Sequence, residues 1–161
     1  MPVSRISVRG TETPDGEVFH FILALVAPKD EHGEERCITL NNSPSYTDPN
    51  HLMRGVLVME YHESVKSVSR ALDPLDVDVR SKVTAATLCH FLFDEHHVEQ
   101  YEFNENGQGC RHWCATVLEK LAEGGFVRED IGQLFQQFEK EHHAKWGSKF
   151  PMPRIVGSYY D

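Results

Sequence analysis

Apolar positions follow two different rhythms along this chain. In the first half they alternate or run together in short blocks; in the second they recur at three- and four-residue spacing. The blocks "VSRISVRG", "FHFILALVAP", "ERCITLNN" and "GVLVMEYH" are strand-length and rich in β formers, which predicts four strands. Between the second and third lies "KDEHGEE", whose charges and glycine suit a hairpin loop, and "NSPSYTDPNH" carries the two prolines and turn formers of another loop.

The later segments predict helices. "DVRSKVTAATLCHFLFDEHH" puts Val83, Ala86, Thr87, His90 and Phe91 near helical spacing. "CRHWCATVLEKLAEGG" aligns Trp113, Val117, Leu118 and Leu121 on one face and stops at Gly124-Gly125. "REDIGQLFQQFEKEHH" places Ile131, Leu134, Phe135 and Phe138 on one stripe. Strands followed by helices predict an α+β fold, an antiparallel sheet from the N-terminal half packed against helices from the C-terminal half. The aromatic, proline-punctuated tail "KFPMPRIVGSYYD" reads as a last strand or a packed arm.

Composition narrows the function more than the fold. The 161 residues suit a single domain, 1–161, that buries a core without staples. A net charge of −9 with scattered arginines argues against a nucleic-acid partner, which needs Lys and Arg to neutralise phosphates. The opening "MPVSRISVRG" lacks the apolar core of a secretion signal, and no stretch has the length of a membrane span. The expectation is a cytoplasmic protein with no membrane partner, whose Cys37, Cys89, Cys110 and Cys114 stay reduced. No motif calls for a cofactor.

The chemistry-bearing stretch is "GQGCRHW". A free thiol is only slightly ionised at neutral pH, its reference pKa being ~8.5. A helix N-terminus favours the thiolate through its partial positive charge, and its unpaired N–H groups can hold an oxyanion. Gly107 and Gly109 would let a substrate approach Cys110 closely, and Gln108 and Arg111 flank the same turn. The alternative is structural: cysteine is often a small buried hydrophobe, and glycines before a helix often serve only to turn the chain. Cys114, one turn on, reads as packing.

A nucleophilic thiol needs a base, and geometry selects among the ten histidines. His112 follows Cys110 by two residues, which on a helix turns it about 200° away. His32 and His51 lie in loops, His96, His97, His142 and His143 form polar pairs at segment ends, and His90 reads as a core residue. His62 ends a strand and is a weaker candidate. His20 is different, because it opens the most apolar segment in the chain, where an imidazole needs a partner. If Val26 faces Arg36 in a hairpin, His20 falls opposite Asn42, and a one-residue shift substitutes Asn41 or Ser43. Either Asn would orient the imidazole, although "NNSP" is also ordinary turn chemistry.

A strand-borne histidine, a polar residue on the next strand and then a cysteine at a helix start resembles the circularly permuted papain-like fold. That group includes permuted relatives of the NlpC/P60 peptidases, the lecithin:retinol acyltransferase-like enzymes and the PPPDE peptidases. The matching positions are His20, Asn41 or Asn42, and Cys110, with Trp113 as the aromatic three residues after the cysteine. The sequence departs from that pattern at Gly109, where permuted members commonly carry Asn. "GCRHW" is also similar to the Gly-Cys-Arg-aromatic-Trp motif of small uncharacterised fungal proteins. The resemblance implies cysteine-dependent acyl transfer or amide/ester hydrolysis on a small-molecule or peptide substrate. In that reading Cys110 is the nucleophile, His20 the base, and the N–H groups of Cys110 and Arg111 the oxyanion donors.

Two rivals remain. Cys110, His112 and Cys114 are close in sequence, yet their helical spacing does not aim three ligands at one metal, and the spacing of a zinc site is missing. A non-catalytic module would use Cys110, His20, Trp113 and Tyr101 to line a pocket for a small molecule or peptide, as in a small-molecule biosynthetic role.

Overall fold

Phe19–Val26 (β2) buries seven of its eight residues, so it needs cover on both faces. The computed structural model, which describes residues 1–161, supplies that cover with a five-stranded antiparallel sheet and helices. β2 is the centre of the order β4-β3-β2-β1-β5, formed with Pro2–Glu12 (β1), Cys37–Pro44 (β3), Gly55–His62 (β4) and Leu75–Thr84 (β5). Alternation sorts β2 into two cores. Phe19, Phe21, Leu23 and Leu25 enter the large core, while Ile22, Ala24 and Val26 join Cys37, Val65 and Val68 in a small one on the opposite face.

The large core is closed by Cys110–Glu123 (α2) and Ile131–Trp146 (α3), whose apolar stripes are the predicted ones. Trp113, Val117, Leu118 and Leu121 are fully buried on α2, as are Ile131, Phe135 and Phe138, nearly so, on α3. Gly124 ends α2 and Gly125 follows with φ 78°, a conformation that glycine adopts without penalty. The α+β architecture expected from the sequence is therefore the one observed.

The first predicted helix needs correction. Residues 78–84 belong to β5, and the helix starts only at Ala85–Cys89 (α1), continuing as a π-helical turn through His90–Glu95. Val77, Val79 and the β-branched residues up to Thr84 obey the two-residue period, and Thr84 then caps α1 by accepting the Thr87 N–H at 3.2 Å. Val83 sits in both patterns, which is why helical spacing misled. The tail is both things expected of it: a packed arm, plus a two-residue strand Ser158–Tyr159 (β7) paired with Tyr101–Glu102 (β6). No helix is long and apolar enough to cross a membrane.

Candidate active site

The site begins with the turn before α2. Asn104 accepts N–H bonds from Asn106 and Gln108 on its side-chain oxygen, at 3.0 and 2.9 Å, which coils the chain tightly. Gly109 then leaves the turn at φ 132° as the residue that opens α2. A Cβ there would lie 2.8 Å from the Tyr101 hydroxyl, so close packing as well as φ demands glycine. Tyr101 donates to the Gly109 carbonyl at 2.7 Å and accepts from the Gly157 N–H at 2.8 Å. The indole of Trp113 donates to the Val98 carbonyl at 2.7 Å. Both aromatic rings are fully buried behind the turn. They hold Cys110 in place from the core, which corrects the expectation that Trp113 and Tyr101 line a pocket.

The sheet supplies the other half. Pairing between β2 and β3 ends at Leu23↔Leu40, and beyond it the strands are bridged by side chains. The Phe21 N–H, released from that ladder, donates to Cys110 Sγ at 3.3 Å. His20 lies one residue earlier on β2. Its Nε2–H donates to Asn41 Oδ1 on β3 at 2.7 Å, which leaves Nδ1 as the ring's unprotonated nitrogen. That bond selects the tautomer able to take a proton from the thiol.

Electrostatics agree with the geometry. Burial opposes ionisation of Cys110, but the bond and charge of His20, with the Phe21 and Arg111 backbone N–H groups, outweigh it and bring the thiol below its ordinary value. Burial likewise disfavours the imidazolium of His20, yet the sulfur and Asn41 reverse the balance and raise its pKa. The opposite shifts favour a thiolate–imidazolium pair. At Cys37, Cys89 and Cys114 burial dominates and pushes the thiols up.

A family model described as Domain of unknown function (DUF7770) matches residues 6–160. The chain belongs to this family. No curated protein and no solved structure matches it.

Within this DUF7770 domain the register explains which asparagine meets the base. Val26 pairs with Cys37, one residue beyond the Arg36 assumed from the sequence. Asn41 therefore shares a sheet face with His20 and reaches it diagonally, whereas Asn42 points to the opposite face. Asn42 is fully buried, and neither of its amide atoms has a hydrogen-bond partner. It is removed from the candidate triad. His62 is occupied elsewhere, its ring nitrogens facing the Thr39 and Ser67 hydroxyls at 3.3 and 3.4 Å. His112 Nδ1 faces Arg154 at 3.4 Å, and no three His, Cys, Asp or Glu side chains converge where a metal could sit.

A cleft of about 90 Å³ opens at the sulfur, and His20, Gln108, Gly109, Cys110 and Arg111 all border it. Arg111 is not free to act as a donor there. Its guanidinium bonds Glu139 at 2.8 Å and the Pro151 carbonyl at 2.6 Å. Val18, Phe19, Pro151 and Ile155 make the walls apolar, and Lys149 stands at the side. The contributions of residues 149–155 to the cleft had no signal in the sequence, because nothing periodic marks a tail that packs through one buried ring, Phe150, and single carbonyls.

The first α2 backbone bond is Trp113 N–H to the Gly109 carbonyl at 3.1 Å, so the Cys110 and Arg111 N–H groups are not spent within the helix. Asn41→Ala should slow alkylation of Cys110 about threefold at pH 7, because one hydrogen bond is worth about one pKa unit and the gain in nucleophilicity offsets half of that loss. Asn42→Ala should leave that rate within twofold of the parent, roughly the error of such comparisons. Equal loss in both variants would remove Asn41 from its orienting role.

Proposed function

We propose that this domain is a thiol-dependent acyltransferase or amide/ester hydrolase of the permuted papain-like kind. The observation that supports it most is the seating of Cys110 Sγ on the Phe21 N–H beside a histidine whose far nitrogen is held by Asn41. The chain order histidine, asparagine, cysteine is the order of the permuted fold.

In this reading the Cys110 thiolate attacks a substrate carbonyl carbon, and the carbonyl electron pair moves onto oxygen. The α2 N-terminal N–H groups stabilise that oxyanion. The tetrahedral intermediate collapses as the amine or alcohol departs with the proton carried by His20, leaving a thioester on Cys110. A water or another acceptor then gives its proton to His20 and attacks the thioester carbonyl, and collapse releases the acyl product and restores the Cys110 thiolate. Asn41 keeps the ring aligned through both halves.

The test uses p-nitrophenyl acetate, a small activated ester. Intact-mass measurement should show one acetyl group gained, located at Cys110 by peptide mapping and missing from Cys110→Ser. Acetylation spread over surface residues, and equal in Cys110→Ser, would leave the alternative of a binding module with this cleft and no turnover.

A further inference from the structure

The borders of the cleft carry a charge pattern that the proposed chemistry does not itself require. The chain has a net charge of −9, with 25 acidic against 16 basic residues. Yet the residues lining the cleft include Lys149, Arg111 and His20 and not one carboxylate. Behind them, Arg111 and Arg154 share the single carboxylate of Glu139, which leaves that buried cluster with a net positive charge. The N-terminus of α2, a 14-residue helix, adds its partial positive charge at the same point.

Of these cations Lys149 borders the cleft with a head group that is not fixed inside the protein. Arg111 is 6% exposed and its bonds are committed. The Lys149 side chain is 33% exposed and lies over the Phe19 ring with Nζ 5.3 Å from the centroid, so its stem follows the apolar wall. Its one carboxylate partner, Glu12 at 3.2 Å, is exposed and outside the cleft lining. An exposed pair of this kind holds weakly, so an incoming anion can take its place. The cleft has a volume of about 90 Å³ and opens to solvent, which gives a short acyl chain room beside the sulfur.

We propose that the Cys110 cleft takes a short acyl group bearing a carboxylate, and that Lys149 receives this charge. The inference deepens the acyl-transfer reading and rests on it for the word "acyl", whereas the anion site stands on the cleft's own composition.

Two alkylating reagents of nearly equal size separate the two ideas. In both, the Cys110 sulfur displaces iodide and forms an S–C bond; iodoacetate carries a carboxylate and iodoacetamide does not. The readout is the ratio of their rate constants at Cys110, followed by peptide mass at pH 7. Lys149→Gln should lower the iodoacetate-to-iodoacetamide ratio about fivefold, the effect of one partly exposed ion pair. Glu12→Gln, which frees Lys149, should raise it. Lys82→Gln, which removes an equal charge from an exposed position on β5, should change it less than twofold, because salt screens distant charges.

A ratio unmoved by Lys149→Gln, or lowered as far by Lys82→Gln, overturns the anion site. Slow alkylation by both reagents, with a ratio that still depends on Lys149, overturns the enzyme and keeps the site.

Discussion

His20→Ala should cut the rate of Cys110 alkylation by iodoacetamide at pH 7 by tenfold or more. The sign follows from which state reacts. Only the thiolate attacks, and in the parent its pKa lies below the ordinary thiol value because His20 and two backbone N–H groups outweigh burial. Alkylation should therefore persist as the pH falls below the range where ordinary thiols stop reacting. Above the raised pKa of His20 the imidazolium is lost, yet the thiolate remains, so the rate should not fall again at high pH.

Removing the imidazole leaves burial as the larger influence, and the midpoint should move upward past the ordinary thiol value. Each unit of that rise costs about tenfold in thiolate at pH 7 and returns about threefold in nucleophilicity, a net loss of about threefold. The imidazole supplies both a hydrogen bond and a charge to the sulfur, and losing the two together multiplies such steps to the tenfold figure. Cys37, Cys89 and Cys114, all with raised pKa values, serve as internal standards in the same digest. A pH profile identical in His20→Ala and the parent would dissolve the couple and the enzyme with it.

The largest effect on stability should come from Glu139→Ala. Glu139 is 2% exposed, and its carboxylate bonds Arg111 at 2.8 Å and Arg154 at 3.0 and 2.6 Å. Truncation strands a guanidinium that is itself only 6% exposed. Breaking a buried pair from one side costs about 3–5 kcal/mol, because desolvation remains while its compensation is lost. For a domain of this size that is a fall of about 10 °C in Tm by thermal unfolding.

Arg111 also bonds the Pro151 carbonyl and lies over Phe150, 4.1 Å from the ring centroid, so the same change should loosen the tail from the cleft. Glu139→Gln retains an acceptor for one arginine and should fall between the parent and Glu139→Ala. A loss below about 1 kcal/mol in Glu139→Ala would mean that water reaches Arg111 and that the cluster is not a buried one.

Several features of the site were legible in the chain itself. A histidine at the head of "FHFILALV" is conspicuous because the residues around it are apolar, and His20 does stand at the edge of the buried strand. A cysteine directly after Gly109 and before an amphipathic run marks a helix start, and α2 begins at Cys110. Less legible was the boundary at Thr84, where strand and helix patterns overlap on Val83. The choice between Asn41 and Asn42 was not legible, because a one-residue slip in the hairpin exchanges the faces of β3. Trp113 and Tyr101 carried the right chemistry for a pocket wall but face the interior, each spending its polar atom on a backbone carbonyl.

Local periodicity alone determined that an antiparallel sheet precedes helices, since the spacing of apolar residues dictates which backbone can bury them. It also determined that one thiol sits at a helix N-terminus. Only the tertiary structure decided that this thiol meets the histidine. Phe21 and Cys110 are 89 positions apart, and their contact exists because β2 and β3 part company beyond Leu23, leaving an N–H that the sulfur fills. Such a gap is set by how strands pair and helices pack across the whole sheet, and no window of neighbouring residues carries that information.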